Sequence, residues 1–150
     1  MNPVAEFRGG EKSVGRAPET LQWLVMLAEA VRGIEYGQFA KLLGVHHRAV
    51  DKILGVIGDA LQRLDVRFGK IPLIQLLVVN KKTMVPGDSG LRWFMPNDEQ
   101  RAKLSLQERR VVRDGVQQQI FTWPDWREVL AAFDLDPLAF GALPLEEALR

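Results

Sequence analysis

The chain has 150 residues, 47% of them hydrophobic and 26% charged, with a net charge of +1 and no cysteine. That length suits one domain with its own core, and the missing cysteine excludes disulfides, thiolate nucleophiles and thiolate metal sites. No apolar run nears the ~18 residues of a membrane span, and the opening MNPVAEFRGGEKSVG has no apolar secretory core, so a cytoplasmic protein without membrane contact is expected.

The charge is unevenly spread. Between Arg32 and Lys82 stand nine Lys or Arg against four acids, a local +5, while the flanking stretches carry −1 and −3. A positive middle third is where a polyanion would touch.

Residues 1–17, glycine-rich and charged at the start, read as a flexible arm. The segment RAPETLQWLVMLAEAVRG predicts a helix, with Pro18 in the first turn, Glu19 at the positive end of the dipole and Gly33 as the stop. Leu21, Leu24, Val25, Ala28 and Val31 fall on one buried face, with Trp23 a core or edge aromatic. EYGQFAKLLG predicts a short second helix, ended by Gly44, with Phe39, Ala40, Leu42 and Leu43 inward. In VHHRAVDKILGVIGDALQRL, the apolar Val50, Ile53, Leu54, Ile57, Leu61 and Leu64 recur three or four apart, an amphipathic helix. Its polar face holds His47, Arg48, Asp51, Lys52, Asp59, Gln62 and Arg63, and Gly55 and Gly58 mark a bend or the close approach of another backbone.

A short helix, a glycine turn and a longer helix make a helix-turn-helix pattern, whose second helix offers its N-terminal residues to the DNA major groove. A solvated helical hairpin fits the same pattern. Next, the branched run Ile71–Val79 predicts a strand with Pro72 near its start, followed by the basic turn Asn80-Lys81-Lys82-Thr83 and by Pro86-Gly87-Asp88 turn chemistry. That order is the order of a winged helix, with Lys81 and Lys82 carried on the wing. Beyond it, Pro96-Asn97-Asp98-Glu99 predicts a helix start, QQQIFT a short strand into Thr122, and Pro124-Asp125 a helix ending near Asp134. Phe121, Trp123, Trp126 and Phe133 read as a small aromatic core, and the last residues as a docking tail. The fold expected is mainly α (α+β): a winged helix-turn-helix over residues 18–95, and a C-terminal helical and strand extension over 96–150 that packs on the domain or on a partner.

The runs YGQFAKLLG, RAV and IPLIQLLVVN resemble the C-terminal DNA-binding domain of the alkylguanine-DNA alkyltransferases and their catalytically inactive alkyltransferase-like relatives. The resemblance covers Glu35 to Asn80 and is most specific at Tyr36-Gly37 and Arg48-Ala49-Val50. It implies a winged helix, with Tyr36 beside a target-nucleotide phosphate and Arg48 entering the base stack where a damaged base is flipped out. Leu73, Ile74 and Gln75 stand where that family has its alkyl-accepting cysteine and the histidine and arginine after it, so alkyl transfer is excluded. Asp51 replaces a glycine and adds a negative charge near the expected phosphates. A looser resemblance, carried by LLVVNKKTMVPGDSG and IFTWPDW, is to uncharacterised bacterial winged-helix modules, some of which accompany HNH nucleases or other restriction and defence components. It implies a targeting or adaptor role.

Catalytic chemistry finds no constellation. His46 and His47 are adjacent and project about 100° apart on a helix, unlike an i, i+4 metal pair. Ser89 in GDSG has no suitably placed histidine, and no glycine-rich phosphate loop is present. No catalytic residue, metal or cofactor is expected. The candidate DNA-contacting set is therefore Tyr36, His46, His47, Arg48, Lys52, Lys81 and Lys82, on a non-enzymatic binder of double-stranded DNA in repair or defence. The alternative is a winged-helix interaction or dimerisation module, an adaptor docking through its C-terminal segment.

Overall fold

A computed structural model describes residues 14–138 and is mainly helical, so the mainly α expectation holds. The expectations for the arm and the docking tail fall largely outside the described residues. In chain order the elements are a 3-10 turn (Val14–Arg16), α1 (Ala17–Glu29), β1 (Ile34–Glu35), α2 (Tyr36–Leu43), α3 (His47–Arg63), α4 (Asp65–Phe68), a second 3-10 turn (Ile74–Leu77), β2 (Val78–Val79), α5 (Asp88–Phe94), α6 (Asp98–Ala102), α7 (Leu106–Thr122) and α8 (Trp126–Ala132).

Helix α1 starts as its residues dictate. Pro18 lies in the first turn, Arg16 pairs with Glu19 at 2.9 Å, and the Thr20 hydroxyl donates to the Arg16 carbonyl at 2.7 Å. Its end departs from the expected one. The helix stops at Glu29, and Val31 takes a left-handed conformation (φ 58°) and is 63% exposed, leaving the predicted buried face. Gly33 serves a close approach rather than a stop, since a Cβ there would lie 2.8 Å from the Leu77 carbonyl oxygen. That approach lets β1 pair in parallel with β2, Ile34 opposite Val78.

The turn between α2 and α3 follows the sequence closely. Gly44 adopts φ 68°, a region glycine enters without penalty. The amides of Gly44 and Val45 then donate to the carbonyls of Lys41 and Ala40 at 3.2 and 3.0 Å, closing α2. The His46 Nδ1 accepts from the Arg48 amide at 3.2 Å and caps α3. On α3 the predicted apolar face is buried: Val50, Ile53, Leu54, Ile57 and Leu61, each worth about 1.5–3 kcal/mol on burial. It packs against α2, α1 and α5.

The run Ile71–Val79 departs from the predicted strand. Only Val78 and Val79 pair as β, and Ile74–Leu77 forms a 3-10 turn. A strand needs a partner along its length, and β1 offers two residues. The run instead threads between α1 and α7 with Ile74 through Val79 all buried, and a 3-10 turn points side chains in three directions where a strand offers two. The next segment closes on itself, with Asn80 N–H donating to the Val85 carbonyl (2.9 Å) and Met84 N–H to the Asn80 carbonyl (2.8 Å). Pro86-Gly87-Asp88 is a helix start rather than a free turn, with Gly87 as the N-cap of α5 and Ser89 inside that helix.

The strand predicted into Thr122 is absent, because α7 continues through that residue. Ser105 and Glu108 cap α7 reciprocally (3.0 and 3.1 Å), and Val112, Val116 and Ile120 keep helical spacing towards the core. The aromatic core expected near the end is present in part: Trp126 and Phe133 are buried, whereas Phe121 and Trp123 are partly covered. Trp126 Nε1 donates to the Ile120 carbonyl at 2.9 Å, and its ring meets Trp123 edge to face at 4.6 Å.

Candidate nucleic-acid interface

The α2–Gly44–α3 unit sets which candidate residues face outward. His46, His47, Arg48 and Lys52 are exposed at the start of α3, and the two imidazoles lie 4.3 Å apart with planes inclined by 31°. The same face carries Asp51, Asp59, Gln62 and Arg63, all exposed, so its charge alternates in sign.

Tyr36 is placed differently from the other candidates. Its side chain is partly buried, and its hydroxyl lies close to the Asp51 carboxylate and to the backbone of Gly87. Burial first, and then the negative charge of Asp51, push this phenol well above its ordinary value. Gly87 packs closely beside it, since a Cβ there would stand 3.1 Å from Tyr36 Oη. Tyr36 therefore joins the start of α2 to α3 and to the start of α5, and its hydroxyl faces the protein.

Lys81 and Lys82 are exposed on the Asn80–Val85 loop, a separate element from α3. Arg113 of α7 braces that loop: its guanidinium donates to the Met84 carbonyl at 2.6 Å and pairs with the adjacent Asp114. Beneath the loop lies a hollow of about 380 Å3, bordered by Arg32, Glu35, Gln38, Met84, Arg113 and Asp114. The structure thus groups His46, His47 and Arg48 at one helix start and Tyr36 with Asp51 and Gly87.

Three further residues with a structural part escape sequence reasoning. Arg101 is 3% exposed and grips Asp88 with two nitrogens (2.8 and 3.1 Å), while also reaching Asp98 and the Met95 and Pro96 carbonyls. It holds the start of α5 to α6, and the guanidinium keeps the Asp88 carboxyl below its usual range. Its sequence context gives no signal, since one arginine in a polar stretch resembles its neighbours. Gln75 is 2% exposed, and neither its Oε1 nor its Nε2 has a hydrogen-bond partner. Here a signal existed: it is the one polar residue in Ile71–Val79. Trp93, on α5, lies over Gly58, where a Cβ would come 2.7 Å from the indole and 2.9 Å from Gln75 Nε2. The close approach expected at Gly58 comes from side chains rather than from another backbone, and Gly55 faces open space.

Among the described residues, no group of three or more His, Asp or Glu is placed to hold a metal ion, and no helix is long and apolar enough to cross a membrane. No protein-family model, curated protein or solved structure matches the chain.

Proposed function

We propose that the protein binds double-stranded DNA without catalysing a reaction, presenting the N-terminal half of α3 to the major groove. The observation that carries this reading is the α2–Gly44–α3 unit, which leaves His47, Arg48 and Lys52 exposed at the start of a well-packed helix inside the most basic part of the chain. The finer description as a winged helix belongs to the same proposal, with the Asn80–Val85 loop taking the place of the wing and Lys81 and Lys82 reaching a phosphate. So do the likeness to alkyltransferase-like proteins, a role in repair or defence, and a cytoplasmic location. Arg48, Lys52, Lys81 and Lys82 are the phosphate contacts, and four of them give a log–log salt slope of about −3.6.

Fluorescence anisotropy of a labelled random duplex, titrated at several salt concentrations, tests the reading. The expected result is a slope of about −3 or steeper, with weaker binding by Arg48→Ala and by the Lys81→Ala, Lys82→Ala double variant. Absence of binding at low salt overturns it.

A second reading is supported by the exposed Asp51 and Asp59, which set negative charge among the cations of α3 and oppose a phosphate backbone. In that reading the same face docks a protein, a partner subunit or a second copy, and the chain acts as an adaptor. Light scattering on the purified chain, alone and at low salt with the duplex, separates the two.

A further inference from the structure

A second feature of the molecule points to a ligand independently of the DNA reading. Between α3, the Lys70–Gln75 connector and α5 lies a hollow of about 260 Å3. This is slightly smaller than the usual range for drug-sized ligands, and so suits a single small ring system. Leu61, Ile71, Pro72 and Leu73 give it apolar walls, and Trp93 and Phe94 give it flat aromatic ones. Asp65 fixes the connector by accepting from the Ile71 amide at 2.9 Å.

Gln75 also lines this hollow, and it is the feature that ordinary packing does not explain. Buried polar side chains are paired in the large majority of proteins, and an orphaned one calls for a reason. Here both ends of one amide are orphaned. A primary amide sets an acceptor and a donor side by side, so a ligand edge with a neighbouring N–H and C=O satisfies both at once. The glycine at position 58 leaves room for both the Trp93 indole and that amide, since a Cβ there would come 2.7 Å from the ring and 2.9 Å from Nε2. Trp93 is only partly buried, so turning the indole outward opens the amide to the hollow and leaves an aromatic face for a flat ligand to stack on.

We propose that this hollow binds a small flat ligand bearing a lactam or carboxamide edge, with Gln75 pairing to the edge and Trp93 covering the ring. The site shares no residue with the DNA-contacting set, and its ligand is a free small molecule.

The test uses the full chain labelled with 15N and 2-pyridone as the probe, a single ring that carries N–H beside C=O. N-methyl-2-pyridone removes the donor, and toluene keeps only the ring. The expected result is a 2-pyridone-dependent shift of the Gln75 side-chain amide and the Trp93 indole resonances. Binding of N-methyl-2-pyridone and binding of 2-pyridone to Gln75→Met should each be weaker by about tenfold or more. Equal binding of the two pyridones, or toluene binding as well as 2-pyridone, makes the hollow a non-specific apolar pocket and overturns the proposal. Unchanged affinity in Gln75→Met, or no shift of either resonance at the solubility limit of the probe, overturns it as well. The ligand-side controls act on the unaltered protein, so they discriminate however well the variant folds.

Discussion

Gln75→Met replaces a buried amide by a side chain of nearly the same length and shape without polar atoms. In the unfolded chain the amide is hydrated, whereas in the fold it is 2% exposed with no partner for Oε1 or Nε2. An orphaned buried polar group costs about 1–3 kcal/mol, and the two ends of one amide are counted as a single group. Methionine removes that cost, retains the volume between Gly58 and Trp93, and adds a favourable sulfur–aromatic contact. The variant is thus expected to be more stable by about 1–3 kcal/mol, against the usual direction of a core substitution. Urea unfolding followed by tryptophan fluorescence reads this as a higher midpoint at unchanged slope, and thermal unfolding as a rise of about 2–4 °C per kcal/mol for a chain of this size. A loss of more than about 1 kcal/mol would show that the amide is paired in the folded protein and refute the reasoning. If the hollow binds its ligand as proposed, the same variant gains stability and loses binding, the exchange expected where a site is held at the expense of the fold.

The two glycines of α3 should separate cleanly. Gly55→Ala meets open space and is expected to stabilise by up to about 1 kcal/mol, whereas Gly58→Ala drives a methyl against Trp93 and Gln75 and is expected to destabilise by about 1–3 kcal/mol, both read by urea unfolding. A stabilised Gly58→Ala would show that Trp93 gives way freely. Tyr36→Phe removes a hydroxyl held close to Asp51 and Gly87 and should cost about 0.5–1.5 kcal/mol, while leaving the DNA salt slope unchanged because that hydroxyl faces the protein. A changed slope with unaltered stability would return Tyr36 to the interface. Because Arg101 depresses the Asp88 carboxyl, the stability from this pair is present above the unfolded-state value near 3.9 and lost as pH falls through the lower folded one. The thermal midpoint of Arg101→Met, already below that of the parent at neutral pH, should therefore fall less between about pH 5 and pH 2.

Local chemistry sets much of the helical frame without any tertiary contact. Val50, Ile53, Leu54, Ile57 and Leu61 repeat at helical spacing, and one side of a helix can be buried only if its residues recur that way. Gly44 reads as a stop because a left-handed residue is needed there, and Asn97 and Pro18 mark helix starts for reasons confined to a single turn. The exposed start of α3 was likewise legible, since amphipathicity fixes both faces of a helix at once. It also made the basic residues nameable as candidates, without deciding what they touch.

What the sequence by itself determined is therefore a set of features that depend on neighbours within a turn or two: the helices α1 to α3, the Gly44 turn and the polar face of α3. Only the tertiary structure decided the rest. Ile71–Val79 is rich in branched apolar residues, yet whether it extends or coils depended on how many residues Ile34–Glu35 could offer it and on burial between α1 and α7. Arg101 became a clamp because Asp88, thirteen residues away, folds back onto it. Gln75 became an orphan because the fold buries it beside Gly58, from another helix, with no polar partner in reach. Such pairings join residues distant along the chain, and the free energy of desolvating a charge or an amide is set by what surrounds it in space, which no local pattern encodes.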